Sequence, residues 1–229
     1  MKNSSQYIQK QYIQKLKKLF SILKKGDEKP KKPVYHNPIE AIVFAVLCEK
    51  STESCAKAAL RKIQSHFVDF NDLRVARAEE IAEVIGPDIE EPEKHAVRLT
   101  SLLNAIFQKY DCLSPEDLAS TGKRSTKEIL EKFNGMTNFI SSYIMLTVIN
   151  VHAVPLTEKM IQYLKAHNIV DPKFEIEQIV AFVERQISAA NAYTFYTLVR
   201  HDSELVNPKA ALLLTEKKPK AAKKPKAKK

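Results

Sequence analysis

Apolar positions return at three- and four-residue steps through most of the chain, the spacing of helices rather than strands. Ile8, Tyr12, Leu16, Leu19, Phe20 and Leu23 form one stripe, with Lys and Gln on the other faces, following a tandem QYIQK-QYIQK. This predicts a helix over residues 1–25, packed by its stripe onto the body of the protein. Gly26, Pro30, Pro33 and Pro38 interrupt the pattern, so residues 26–37 read as a linker. NPIEAIVFAVLCEK then offers Asn37 as N-cap and Pro38 at the first helical position, and runs almost wholly apolar, as a central buried helix does. Helices are predicted next over TESCAKAALRKIQSHF, capped by Ser51 or Thr52, over AEEIAEVI up to Gly86-Pro87, and over EPEKHAVRLTSLLNAIFQKY. SPEDLAST, TKEILEKF, the segment from Phe139, TEKMIQYLKAH, EIEQIVAFVERQ and SAANAYTFYTLVRHDSEL complete an array of about ten helices. No alternating run suggests a strand. The expected class is all-α.

Composition agrees: 4 glycines in 229 residues leave little material for hairpin turns between strands. Charge adds more. The net +10 is unevenly spread: residues 1–33 carry +8 and residues 216–229 carry +7, which leaves −5 for residues 34–215. A mildly acidic body therefore lies between two basic ends, and a basic tail attracts polyanions without distinguishing among them. The last segment, EKKPKAAKKPKAKK, has no large apolar residue and is expected to be disordered. Cys48, Cys55 and Cys112 show no CxxC spacing, so reduced thiols are expected and no metal or other cofactor. The histidines, among them His95, His152 and His167, lack a second ligand at helical spacing. The first residues are too polar for a signal peptide and no stretch is apolar enough to span a bilayer, which predicts an intracellular protein, cytoplasmic or nucleoid-associated, without a membrane partner. Tyr193, Phe195, Tyr196 and Leu198 are read as core.

One segment carries candidate chemistry. In LEKFNGMTNFISSYIMLTVINVHAVPLTEK, residues 130–159, Asn134-Gly135-Met136-Thr137 forms a turn between two helices, with Thr137 or Asn138 capping the second. A turn containing glycine lets backbone N–H groups approach a phosphate, and the following helix aims its positive end at the same anion. Thr137, Asn138, Ser141 and Ser142 also suit phosphate contacts, although capping accounts for the first two.

The order NPIEAIVFAVLCEKST, AEEIAEVIGP, the helix from His95 to Tyr110, SPEDL, LEKFNGMTNF and VPLTEK across residues 37–205 resembles the helix-hairpin-helix (HhH-GPD) DNA glycosylase superfamily, in its endonuclease III-like branch. The resemblance covers about three quarters of the chain and rests on order and spacing. It implies a two-lobed helical fold over residues 38–215, with the basic helix before it and the Lys-rich tail after it, and double-stranded DNA as partner. Carried over by position, the first hairpin glycine is Gly135 and the second is Thr137. The lysine that forms a Schiff base in lyase members is Phe139, the catalytic aspartate is Thr157, the histidine after the segment's threonine is Lys159, and the wedge glutamine is Lys50. The iron-sulfur cysteines are absent. Glu158 lies one residue past the acid position, where a helix turns the side chain by roughly 100°, so it is expected to point away from the cleft.

The resulting expectation is a DNA-binding protein that has lost base excision, with no carboxylate placed to break a glycosidic bond. Asn134, Gly135, Met136, Thr137, Asn138 and Lys50, with Lys217, Lys218, Lys220, Lys223 and Lys224 of the tail, are the expected contacts. The alternatives are an active divergent glycosylase using Glu158 or Lys159, and an architectural protein acting through its basic ends.

Overall fold

A computed structural model of the chain describes residues 2–25, 30–35, 37–113 and 123–209. The Lys-rich tail, residues 26–29 and 36 of the predicted linker, and the SPEDLAST helix lie outside these residues. Among the described residues there are eleven helices and no strand. They are α1 (Lys2–Lys24), α2 (Pro38–Cys48), α3 (Glu53–His66), α4 (Phe70–Val75), α5 (Ala78–Ile85), α6 (Pro92–Tyr110), α7 (Lys123–Leu130), α8 (Asn138–Thr147), α9 (Glu158–Ala166), α10 (Ile176–Gln186) and α11 (Ala189–Glu204).

Local chemistry explains most of their boundaries. The Asn37 side chain accepts from Ile39 N at 2.8 Å with Pro38 following, so α2 starts where a cap and a proline coincide. Thr52 caps α3 through Cys55 N at 3.2 Å. Gly86, at φ +80°, ends α5 in a conformation that costs other residues more. The short helix α4 was not predicted. Its start is set by Asp69, whose carboxylate accepts from Asp72 N, a six-residue element too short to show periodicity. TKEILEKF is helical only to Leu130; Lys132 and Phe133 belong to the turn.

Helix α2 is the centre of the molecule. Every residue from Ala41 to Cys48 is buried, and the helix packs against α3, α6 and α8. A second group forms where α1 packs on α10 and α11, and α9 on α11, while α8 against α11 joins the two groups. One continuous apolar core runs through both. Helix α1 uses its predicted stripe for this purpose. Leu16, Leu19 and Leu23 are buried, Phe20 meets the Phe195 ring edge-on at 5.4 Å, and Lys15 and Lys24 tie to Asn168 O and Asn191 Oδ1, each at 2.8 Å. The described linker residues are also held, because the Tyr35 hydroxyl hydrogen-bonds that of Tyr143 at 2.7 Å. No helix among the described residues is long and apolar enough to cross a membrane.

Candidate nucleic-acid interface and interlobe cleft

Between α7 and α8 the chain turns at Phe133–Thr137. Met136 N donates to Phe133 O at 3.1 Å, and Thr137 caps α8 by accepting from Ile140 N at 3.2 Å. Gly135 has φ +88°, and a Cβ there would lie 3.3 Å from Arg98 Cγ and 3.6 Å from Arg98 O. Both the backbone conformation and the close approach of α6 therefore demand glycine. Among the described residues, the backbone N–H groups of Asn134, Gly135 and Thr137 have no hydrogen-bond acceptor. Asn134 and Asn138 are exposed, and Gly135, Met136 and Thr137 are partly so. Open amides beside a helix N-terminus form an anion-binding surface.

The surface extends from this turn along α6. Lys94, Val97, Arg98 and Ser101 border a groove that ends at Asn134 and Gly135. Lys94 and Arg98, with Lys50 and Glu91, then lead into a larger cleft. This cleft, of about 580 Å³, lies between the loop after α2, the loop between α5 and α6, the start of α9 and the end of α11. Lys50 thus stands where the cleft meets the groove. Sequence reasoning singled out Lys50 and the turn but missed Lys94 and Arg98, which look like ordinary solvated positions on an amphipathic helix.

The cleft's chemistry is mixed. Arg200 is almost fully buried at its edge, donating from Nη2 to Cys48 O at 2.7 Å and Ser51 O at 2.6 Å, and from Nε to Glu204 at 3.1 Å. Arg98 pairs with Glu49 and Lys94 with Glu91. Burial, followed by the charge of Arg98, holds the His95 imidazole below its ordinary pKa, so its neutral form is favoured. Burial raises the Cys48 thiol to about 12.

The positions of interest separate as follows. Phe139 is buried against Tyr143 and Tyr196, at ring distances of 6.2 and 6.4 Å, so this position is part of the core and presents no amine. Thr157 is buried and caps α9, its hydroxyl accepting from Met160 N at 3.3 Å. Glu158 and Lys159 are exposed and border the cleft together with Thr157. One expectation is thereby corrected. Glu158 does not turn away from the cleft, because the first turn of α9 itself forms part of the rim. The carboxylates of Glu49, Asp88, Glu90, Glu91, Glu158 and Glu204 all line it. Among them Glu158 accepts from Gln162 at 3.3 Å and is in no ion pair among the described residues. No group of His, Cys, Asp or Glu among the described residues is arranged to hold a metal.

This arrangement can be set beside solved structures. A trapped covalent endonuclease III–DNA intermediate matches with a TM-score of 0.66 at 15% identity, over 83% of this chain and 87% of that one. The Helicobacter pylori 3-methyladenine DNA glycosylase bound to 1,N6-ethenoadenine matches at 0.65 and 18%, over 84% and 97%. The Clostridium acetobutylicum 8-oxoguanine glycosylase/lyase with duplex DNA matches at 0.64 and 16%, over 86% and 69%. The fold is that of the helix-hairpin-helix DNA glycosylases. No family sequence model matches this chain, and no curated protein matches it significantly. At these identities the likeness is one of backbone architecture, which order and spacing preserve while individual side chains diverge.

Proposed function

We propose that the protein binds duplex DNA through the Asn134–Asn138 turn and the Lys50, Lys94 and Arg98 surface, without carrying out base excision. The unpartnered amides of Asn134, Gly135 and Thr137 are the observation that carries this reading. They supply donors for phosphate oxygens of one strand, and the three cations lie along the groove leading from them to the cleft. Loss of excision is supported by the two substituted positions. Phe139 offers no nucleophile, and Thr157 uses its hydroxyl to cap a helix and cannot offset positive charge developing on a sugar. The Lys-rich tail adds affinity by counterion release. No cofactor is required for this binding.

A second reading follows from Glu158. It lines the cleft, is in no ion pair and stands one residue from Thr157, which favours excision by a divergent glycosylase with Glu158 as the acid. One experiment distinguishes the two. Duplexes bearing alkylated, oxidised, deaminated and abasic lesions are incubated with the wild type, Gly135→Pro and Glu158→Gln, and both binding and strand products are followed. The first reading expects binding that Gly135→Pro abolishes, with no product from any duplex. Product formation by the wild type that is lost in Glu158→Gln would establish the second reading. Full-strength binding by folded Gly135→Pro would remove the hairpin from either.

A further inference from the structure

Helix α1 is docked by one face only. Leu16, Leu19 and Leu23 are buried, whereas Lys10, Gln14, Lys17 and Ser21 are exposed, as is Lys25 just past the helix end. The spacing of these exposed positions sets them on a single face. The helix contains no Asp or Glu, and Lys10, Lys17 and Lys25 are in no ion pair among the described residues. The hairpin groove differs in this respect, because Lys94 and Arg98 there are paired with Glu91 and Glu49.

The attachments of α1 are also remote from the cleft. Lys15 Nζ donates to Asn168 O beyond the end of α9, and Lys24 Nζ to Asn191 Oδ1 in the first turn of α11. The cleft takes the opposite ends of the same two helices, through Glu158 and Lys159 of α9 and Arg200 and Glu204 of α11. Helical rise puts roughly 13 Å of α9 and roughly 20 Å of α11 between these attachments and the cleft. The residue types on the face indicate its partner. Lysine, glutamine and serine are side chains that contact phosphate oxygens. A membrane would need the apolar stripe, which is already buried against α10 and α11. A protein partner would need an aromatic or aliphatic anchor, and none of these exposed positions is apolar. From Lys10 to Lys25 the face extends roughly 22 Å, enough to follow about six phosphates of one strand.

We propose that the exposed face of α1 is a second surface for duplex DNA, so that one chain holds two duplex segments, one at the hairpin and one at α1. The bridging rests on the proposed duplex binding at the hairpin, whereas the contact at α1 does not.

The test uses the full-length wild type, Lys10→Gln/Lys17→Gln/Lys25→Gln, Lys10→Arg/Lys17→Arg/Lys25→Arg and Gly135→Pro. Binding of one short duplex is read by anisotropy, and bridging by capture of a fluorescent duplex on an immobilised one. Every variant keeps the Lys-rich tail, so differences report on α1 or on the hairpin. The wild type should bridge. The Gln variant should keep the wild-type urea midpoint and bind a single duplex within about twofold, yet bridge about tenfold less. Its capture should depend less on salt, the slope of log K against log salt falling by about 2.7 for three lost phosphate contacts. The Arg variant, which keeps the charges, should bridge as the wild type does. Full bridging by Gly135→Pro together with weakened bridging by the Gln variant would support the α1 surface and remove the hairpin from the proposed function. Absence of bridging by the wild type, or undiminished bridging by the Gln variant, would overturn the proposal. So would an equal loss of single-duplex binding and bridging in the Gln variant, the mark of one continuous surface. Loss of binding to phosphatidylglycerol vesicles with duplex capture unchanged would assign the face to lipid instead.

Discussion

Arg200 was invisible in the sequence as anything but one more arginine on an amphipathic pattern. In the structure its guanidinium bonds two backbone carbonyls at the end of α2 and the Glu204 carboxylate, from a position 2% exposed. The reason is geometric: α2 ends against α11, and the carbonyls at its C-terminus need donors that only a distant residue can bring. Arg200→Leu leaves Cys48 O, Ser51 O and Glu204 without that donor, so a loss of about 3–5 kcal/mol is expected in urea unfolding. A loss below 1 kcal/mol would mean that water replaces the guanidinium. His95 allows a pH prediction. Its folded pKa lies below the ordinary 6.5, chiefly through burial and then through Arg98, with Glu49 and Lys50 also acting on it. In acid the unfolded state therefore binds more protons, so the stabilising contribution is complete above the unfolded pKa and falls away as pH drops through it. The urea midpoint of the wild type should decline from pH 7.5 to 5.5 more steeply than that of His95→Gln. Parallel curves would show that His95 titrates alike in both states.

At the scale of elements, helix existence was legible wherever periodicity ran for two turns or more. The stripe of α1 and the caps of α2 and α3 were each readable, because they depend on neighbouring residues. What α1 packs against was not readable, since it depends on the chain returning more than 150 residues later to place Phe195 beside Phe20. Burial of Leu19 in that contact gives Leu19→Ala an expected cost of about 2–5 kcal/mol by urea denaturation. A cost near zero would show that α1 is detachable from the body, as a separate basic helix would be. The hairpin lies between these cases. Its glycine and its cap were legible, whereas the proximity of Arg98, whose Cγ and backbone oxygen reserve the position for glycine, comes from another helix.

Across the whole molecule, the charge distribution and the fold complement each other. Residues 34–215 carry −5, so an interface for a polyanion must be local: beside the open amides Lys94 and Arg98 are paired with Glu91 and Glu49, and Lys50 is in no ion pair among the described residues. The eight lysines after Thr215 are expected to contribute without base preference. Removing residues 216–229 should weaken duplex binding and reduce the slope of log K against log salt, measured by fluorescence anisotropy between 50 and 200 mM salt. An unchanged slope would mean that the tail stays off the DNA. Amphipathic periodicity, caps and the order of segments determined by themselves that the chain is helical and resembles the glycosylase fold, because these signals depend on residues within a turn or two of each other. Only the tertiary structure decided that Glu158 borders the cleft, that Phe139 is walled into the core and that Arg200 closes the end of α2. Each of those facts is a meeting of helices far apart in the chain, and one residue's rotation on a helix has no meaning until the surface it faces exists.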